Sequence, residues 1–162
     1  MNEDEVLALS KVYGPLLHIL DSSGVSGAKF MAAIAGCESN FGQNTTPRYE
    51  AAYDVGGKYA ENPPQNELLA HWGKKAAYSY GPWQILPCNA IGFTPDELFT
   101  DNEKCALAFV GFFNRYIVGI RHALTFDEMA QTYNSGRFTE QPAPGVQRYV
   151  ADALHYYQSV EL

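Results

Sequence analysis

Ser26-Gly27-Ala28-Lys29-Phe30-Met31-Ala32-Ala33-Ile34-Ala35-Gly36-Cys37-Glu38-Ser39-Asn40-Phe41-Gly42 is the stretch on which the reading of this chain turns. The Ser26 hydroxyl predicts a helix N-cap, Phe30, Met31, Ile34 and Cys37 recur at helical spacing on one side, and Gly42 supplies the punctuation after the helix. One carboxylate, Glu38, then falls in or just after the last turn, beside the apolar residues Cys37 and Phe41. The negative end of a helix and desolvation by apolar neighbours both disfavour an ionised carboxyl. Glu38 is therefore expected to hold its proton above the usual carboxylate range. A solitary glutamate near a helix end is ordinarily a solvated surface group; Glu38 is set apart by two motifs further along the chain.

Outward from this helix, the pattern is mainly α. Val6, Leu9, Tyr13, Leu16 and Leu20 keep helical spacing toward the amino terminus, with Gly14-Pro15 breaking or kinking the run. Residues 43 to 66 show no sustained period and contain Gly56-Gly57, Pro63-Pro64 and the tyrosines Tyr49, Tyr53 and Tyr59. This reads as a long irregular insertion, extending to about residue 80, that packs and forms a cleft wall. Glu67 to Ala77 is helical, and Trp83 to Ile91 is a further short segment despite Pro87. Thr94-Pro95-Asp96-Glu97 is a helix start with a capping hydroxyl and first-turn acids. Cys105, Phe109, Phe112, Tyr116 and Ile120 mark a segment apolar nearly all round, read as the central buried helix, and Phe126 to Tyr133 and Val146 to Tyr157 give two more. Strand signals are scarce.

The chain's 162 residues lie within the size of one domain, and residues 1–162 are expected to form a single one. With 46% hydrophobic and 18% charged residues, the composition is that of an ordinary globular protein. Eleven Lys plus Arg against 18 Asp plus Glu give a net charge of −7, which argues against attachment to nucleic acid or an anionic membrane and favours a neutral or locally cationic ligand. Met1-Asn2-Glu3-Asp4-Glu5 is acidic where a secretory signal is basic, so no export signal is expected. The most apolar stretch, Ala106 to Ile120, is interrupted by Asn114-Arg115 and is shorter than the ~20 residues of a membrane span. Cys37, Cys88 and Cys105 leave an odd thiol without metal-type spacing; a single Cys88–Cys105 bridge stays open. His18, His71, His122 and His155 are scattered, with no His-Glu-x-x-His or Cys-x-x-Cys partner, so neither metal nor other cofactor is expected.

Two polar-aromatic motifs come after Glu38 in order, Gly81-Pro82-Trp83-Gln84-Ile85 and Thr132-Tyr133-Asn134-Ser135-Gly136. The first reads as a tight turn presenting an amide that can both donate and accept, with Trp83 either core or a sugar platform. The second reads as a helix end that Gly136 caps. With Glu38-Ser39 they resemble the Glu-Ser, Gly-x-x-Gln and Ala-Tyr-Asn-x-Gly signatures of soluble lytic transglycosylases and their goose-type lysozyme-like relatives, which cut the glycan strands of peptidoglycan. Pro82-Trp83 stands where the family commonly has Leu-Met, and Thr132 replaces the usual Ala. Arg148-Tyr149-Val150 resembles the family's terminal Tyr-Val segment without the preceding Glu-Thr.

The resemblance implies a lysozyme-like fold and a metal-free lytic transglycosylase. Glu38 would be general acid and then base, the Tyr133 hydroxyl would orient it, and Ser39, Gln84, Asn134 and Tyr149 would contact sugar. In such one-carboxylate catalysis the substrate's acetamido group and C6 hydroxyl replace a second carboxyl and water, leaving 1,6-anhydromuramoyl ends. The stretch between Glu38 and Gln84 is much longer than in compact members, so the insertion is expected to lengthen the cleft or to supply a second carboxylate, Glu50 or Asp54. The latter alternative is a hydrolytic muramidase. A third is a catalytically silent glycan-binding or virion structural module. The partner expected is the peptidoglycan strand of the bacterial wall, reached by way of a virion or secretion assembly, with no nucleic acid and no membrane insertion.

Overall fold

The computed structural model describes residues 3–162; Met1 and Asn2 of the acidic amino terminus lie outside the described residues. Seven α-helices are present among them, and the chain is mainly helical, as the periodicity predicts. Helix α1, Glu3–Tyr13, opens with three acids and carries Lys11 in its last turn, complementing the helix dipole at both ends. Gly14-Pro15 stops it in a single 3₁₀ turn. The Gly14 carbonyl oxygen would lie 2.2 Å from a Cβ on Gly27, so this glycine pair lets the end of α1 touch the start of the next helix.

That helix, α2, spans Gly27–Ser39 and is capped by Ser26, whose side chain accepts the Lys29 N–H at 3.3 Å. Phe30 through Gly36 are all buried, and α2 lies against both α1 and the carboxyl-terminal helix. It takes the central position expected of the Ala106–Ile120 segment. Small residues explain the exchange: with Ala32, Ala33, Ala35 and Gly36 in its middle, α2 lets neighbours close in on every side. The later segment instead leaves Leu107 and Ile120 in solvent. That segment begins as α5, Asn102–Phe112, and runs without a break into a π-helical stretch, Phe113–Ile120. The short α4, Pro95–Thr100, precedes it with Thr94 and Glu97 forming a reciprocal capping box. Helices α6, Phe126–Ser135, and α7, Pro144–Ser159, complete the bundle. One apolar cluster unites α1, α2, α5, the π stretch, α6 and α7 around Phe30, Trp83, Phe109 and Phe113.

The insertion carries a two-residue antiparallel ladder in which Arg48 of β1, Arg48–Tyr49, pairs with Ser79 of β2, Tyr78–Ser79. Between them lie 3₁₀ turns and α3, Gln65–Trp72. The tyrosines pack the lobe as expected: Tyr53 against Tyr59 at 5.0 Å between ring centres, and Tyr49 against Tyr78 at 5.4 Å. Buried Gln65 ties the lobe together by donating to the carbonyls of Tyr53 and Ala76. Cys37, Cys88 and Cys105 are all free thiols, so the Cys88–Cys105 bridge is not formed. Among the described residues no helix is long and apolar enough to cross a membrane.

Candidate active site

A cleft of about 890 Å³ opens between the insertion on one side and the π stretch with α6 on the other. Glu38 lies at its floor. Its place is set by α2, whose last turn carries it, and by the left-handed residues Asn40 and Phe41, which reverse the chain immediately afterwards. The Glu38 side chain is only 12% exposed. Burial pushes its pKa above the ordinary value; the Tyr149 hydroxyl and the Arg48 guanidinium pull it part of the way back, while Glu50 adds to the rise. The direction agrees with the sequence expectation, and burial is the leading cause.

The partners of Glu38 differ from those expected. Tyr149, on α7, donates its hydroxyl to Glu38 Oε2 at 2.7 Å. Tyr133, the residue expected to make that bond, donates instead to the Trp83 carbonyl. Both tyrosines are half-buried near the carboxylate and held well above the usual phenol range, chiefly by desolvation, so each stays a donor at neutral pH. Phe109 and Phe112 flank the Tyr133 ring at 5.3 and 6.0 Å, directing its hydroxyl to the turn rather than to the acid.

Arg48 is the second partner and was not singled out for the site by sequence. Its Nη2 lies 3.0 Å from Glu38 Oε1 and also donates to the Glu38 carbonyl, one of the unpaired acceptors at the end of α2. Its Nε donates to Gln84 Oε1 at 2.8 Å. The side chain is half exposed, so this ion pair joins one wet and one nearly dry partner. The β1–β2 ladder turns the Arg48 guanidinium toward α2.

Gln84 reaches the cleft as expected, but its amide is already engaged. Oε1 accepts from Arg48 and from Ser79 at 2.9 Å, and Nε2 donates to the Gly81 carbonyl at 2.9 Å. The turn that presents it is closed by the Tyr80–Ile85 bridge, with Gly81 at φ +77° and Gln84 itself at φ +49°. Gly81 is required twice over, since a Cβ there would lie 2.4 Å from Cys105 Sγ. Trp83 points away from the cleft, wholly buried, and donates Nε1–H to the Met31 carbonyl at 2.9 Å; it is core and not a sugar platform.

Ser39 is not available to a ligand. It is buried, its hydroxyl lies 2.7 Å from the Pro82 carbonyl, and it accepts the Gly42 N–H at 2.8 Å, riveting the end of α2 to the Gly81–Gln84 turn. Asn134 is exposed and lines the cleft near the end of α6. Of the two further carboxylates, Glu50 lines the cleft, whereas Asp54 does not. Asp54 accepts from the Tyr49 hydroxyl and the Val55 N–H, and the Tyr49 bond holds its pKa below the ordinary value.

The remaining lining residues include three that the motifs did not mark: Lys58, Arg121 and Arg137. With Arg48 they give the cleft four basic side chains against two acidic ones, Glu38 and Glu50, in a chain of net charge −7. The expectation of a neutral or cationic ligand, drawn from net charge, does not describe this surface. Among the described residues no group of three or more His, Cys, Asp or Glu side chains is placed to hold a metal ion. No family model, curated protein or solved structure matches the chain. The functional reading rests on the order of the motifs and on this geometry.

Proposed function

We propose that the chain is a lysozyme-like peptidoglycan lytic transglycosylase, with Glu38 as the general acid that protonates the glycosidic oxygen and then as the base that deprotonates the substrate's C6 hydroxyl. The observation that carries this reading is a single carboxyl group, nearly buried at the floor of an open cleft, with its pKa raised by burial and its geometry fixed by two donors. A group of that kind can keep a proton close to neutral pH and deliver it to a leaving oxygen. Tyr149 orients the acid. Arg48, held by Gln84 and by the end of α2, supplies positive charge that stabilises the carboxylate once the proton has left. Gln84 thus acts by holding Arg48, and Asn134 is the polar group turned to the sugar.

In balanced form, Glu38 gives its proton to the bridging oxygen, the bond from that oxygen to the muramoyl C1 breaks, and the substrate's acetamido oxygen closes on C1. Glu38, now ionised, removes the C6 hydroxyl proton as O6 attacks C1 and displaces the acetamido oxygen. No water enters, and Glu38 ends protonated as it began. Glu50 favours one second reading, the hydrolytic muramidase, because it lines the same cleft within electrostatic reach of Glu38. Asp54 does not share that position.

Mass analysis of products released from purified sacculi separates the two, because hydrolysed ends contain one more water than anhydro ends. Anhydromuropeptides from the wild-type protein, with Glu50→Gln retaining most activity, are the expected result. Reducing ends, with Glu50→Gln as damaging as Glu38→Gln at unchanged thermal stability, would establish the hydrolase. A protein that binds sacculi and releases nothing would be the silent module.

A further inference from the structure

The geometry points to a carboxylate-binding subsite in the cleft, formed by Arg121 and Arg137 about the Tyr116 hydroxyl, that takes a carboxylate-bearing substituent of the glycan; it rests on the glycan-cleaving reading of the site. Three observations lead there. First, the cleft's basic residues are not equivalent. Arg48 is engaged by Glu38 and Gln84, whereas among the described residues neither Arg121 nor Arg137 contacts a carboxylate. Unpaired guanidiniums gathered in one concavity of an acidic protein focus a local positive field onto whatever enters.

Second, Arg121 is held in place. Its Nε donates to the Tyr116 hydroxyl at 2.9 Å and its Cζ lies 5.3 Å from the centre of that ring, so the planar group rests on the tyrosine with its terminal nitrogens free of protein acceptors among the described residues. Third, the same hydroxyl donates to the Gly136 carbonyl at 2.8 Å, which brings the Arg137 backbone to this wall beside the end of α6. Two exposed guanidiniums, one of them braced by Tyr116, therefore share a wall with Asn134. A guanidinium fork matches a carboxylate by two parallel N–H bonds, which hydroxyl and acetamido groups of a neutral sugar do not offer.

Two sources supply such a carboxylate on a wall strand: the lactyl group of the muramoyl sugar itself, and the peptide it carries. The test measures binding by calorimetry with the Glu38→Gln protein, so that nothing is cut. The probes are a neutral N-acetylglucosamine oligomer, an alternating glucosamine–muramic oligomer bearing only lactyl carboxylates, and the same oligomer bearing stem peptides. We expect about tenfold tighter binding of a carboxylate-bearing probe than of the neutral one, as one charge-assisted pair supplies. That gain should shrink between about 50 and about 200 mM salt.

Arg121→Gln with Arg137→Gln should remove the gain. A gain confined to the lactyl probe assigns the subsite to the sugar; a gain with the peptide-bearing probe, whose lactyl carboxyl is tied up as the amide to the peptide, assigns it to the stem. Because Arg121 braces Tyr116, Arg137→Gln alone is the second variant, and it should remove part of the gain at an unchanged melting temperature. Equal affinity for all three probes, or a gain that the variants keep, overturns the subsite while leaving the glycan-cleaving reading intact. Failure to bind any probe overturns that reading and the subsite together.

Discussion

Two half-buried tyrosines lie near Glu38, and Tyr149 is the one that bonds to it. Its hydroxyl is one of the influences that lower the Glu38 pKa, so Tyr149→Phe should raise that pKa further. Turnover by a general acid falls as pH rises through its pKa, so the alkaline limb of the rate profile should move upward while the peak rate drops ~10-fold or more for want of orientation. Tyr133→Phe should behave differently: it strips the Trp83 carbonyl of its donor, at a cost of ~1–3 kcal/mol in stability, and leaves the pH profile in place. Melting curves and pH–rate profiles of the two variants check both statements. Glu38→Gln should abolish cleavage and also stabilise the fold. A carboxyl whose folded pKa is raised contributes full stability below its ordinary value of 4.5 and loses it as pH rises through the folded value. The amide does not titrate, so the variant's melting temperature should exceed the wild type's at neutral pH, and the gap should close toward pH 4. Glu38 itself was legible, because helical spacing and the neighbours Cys37 and Phe41 announce a buried helix end. Its partners were not: Tyr149 lies 111 positions away, and nothing local says which of two tyrosines a fold will bring to a carboxylate.

At the scale of elements, sequence signals held wherever they were local and weakened where packing decided. The Ser26 cap, the Gly14-Pro15 stop and the Thr94 cap each concern a few adjacent residues, and each stands as expected. The choice of α2 over α5 as the innermost helix was hidden, because hydrophobicity favours the bulkier segment while close packing favours the smaller side chains. The long insertion gave no period, since its order comes from tyrosine contacts and from a ladder of two residues per strand. The Gly81–Gln84 turn is the element on which most of the site depends, as it carries Gln84 and, through Ser39, ties down the end of α2. Gly81→Ala should therefore be severe: a methyl group 2.4 Å from Cys105 Sγ, at φ +77°, forces the turn or α5 to move. We expect a loss of ~3 kcal/mol or more by denaturant titration. Arg48 and Gln84 would separate, and activity should fall further than occupancy of the folded state explains.

Across the whole molecule, stability comes from one apolar cluster and not from covalent cross-links. Burial pushes the thiols of Cys37 and Cys105 up to about 12 and that of Cys88 up to about 11, leaving almost no thiolate at neutral pH. The melting temperature should be the same with and without reductant, and thiol reagents should label the native protein at pH 7 far more slowly than the denatured chain. A bridged protein would lose stability on reduction instead. Net charge misleads at this scale: the chain carries −7 overall, while the cleft collects basic groups. The π-helical stretch explains how two of its wall residues meet. Tyr116 and Arg121 are five positions apart; in an α-helix, at ~100° per residue, they would point ~140° away from each other. The wider winding closes the Arg121 N–H onto the Tyr116 carbonyl at 2.8 Å and stacks the two side chains. Segment length is thus matched to winding: deleting Gly119 would let the stretch relax to α with Tyr116 and Arg121 four positions and ~40° apart, so their contact should survive, whereas relaxing to α at full length would turn the pair ~140° apart and erase one wall without changing a single residue that faces the ligand.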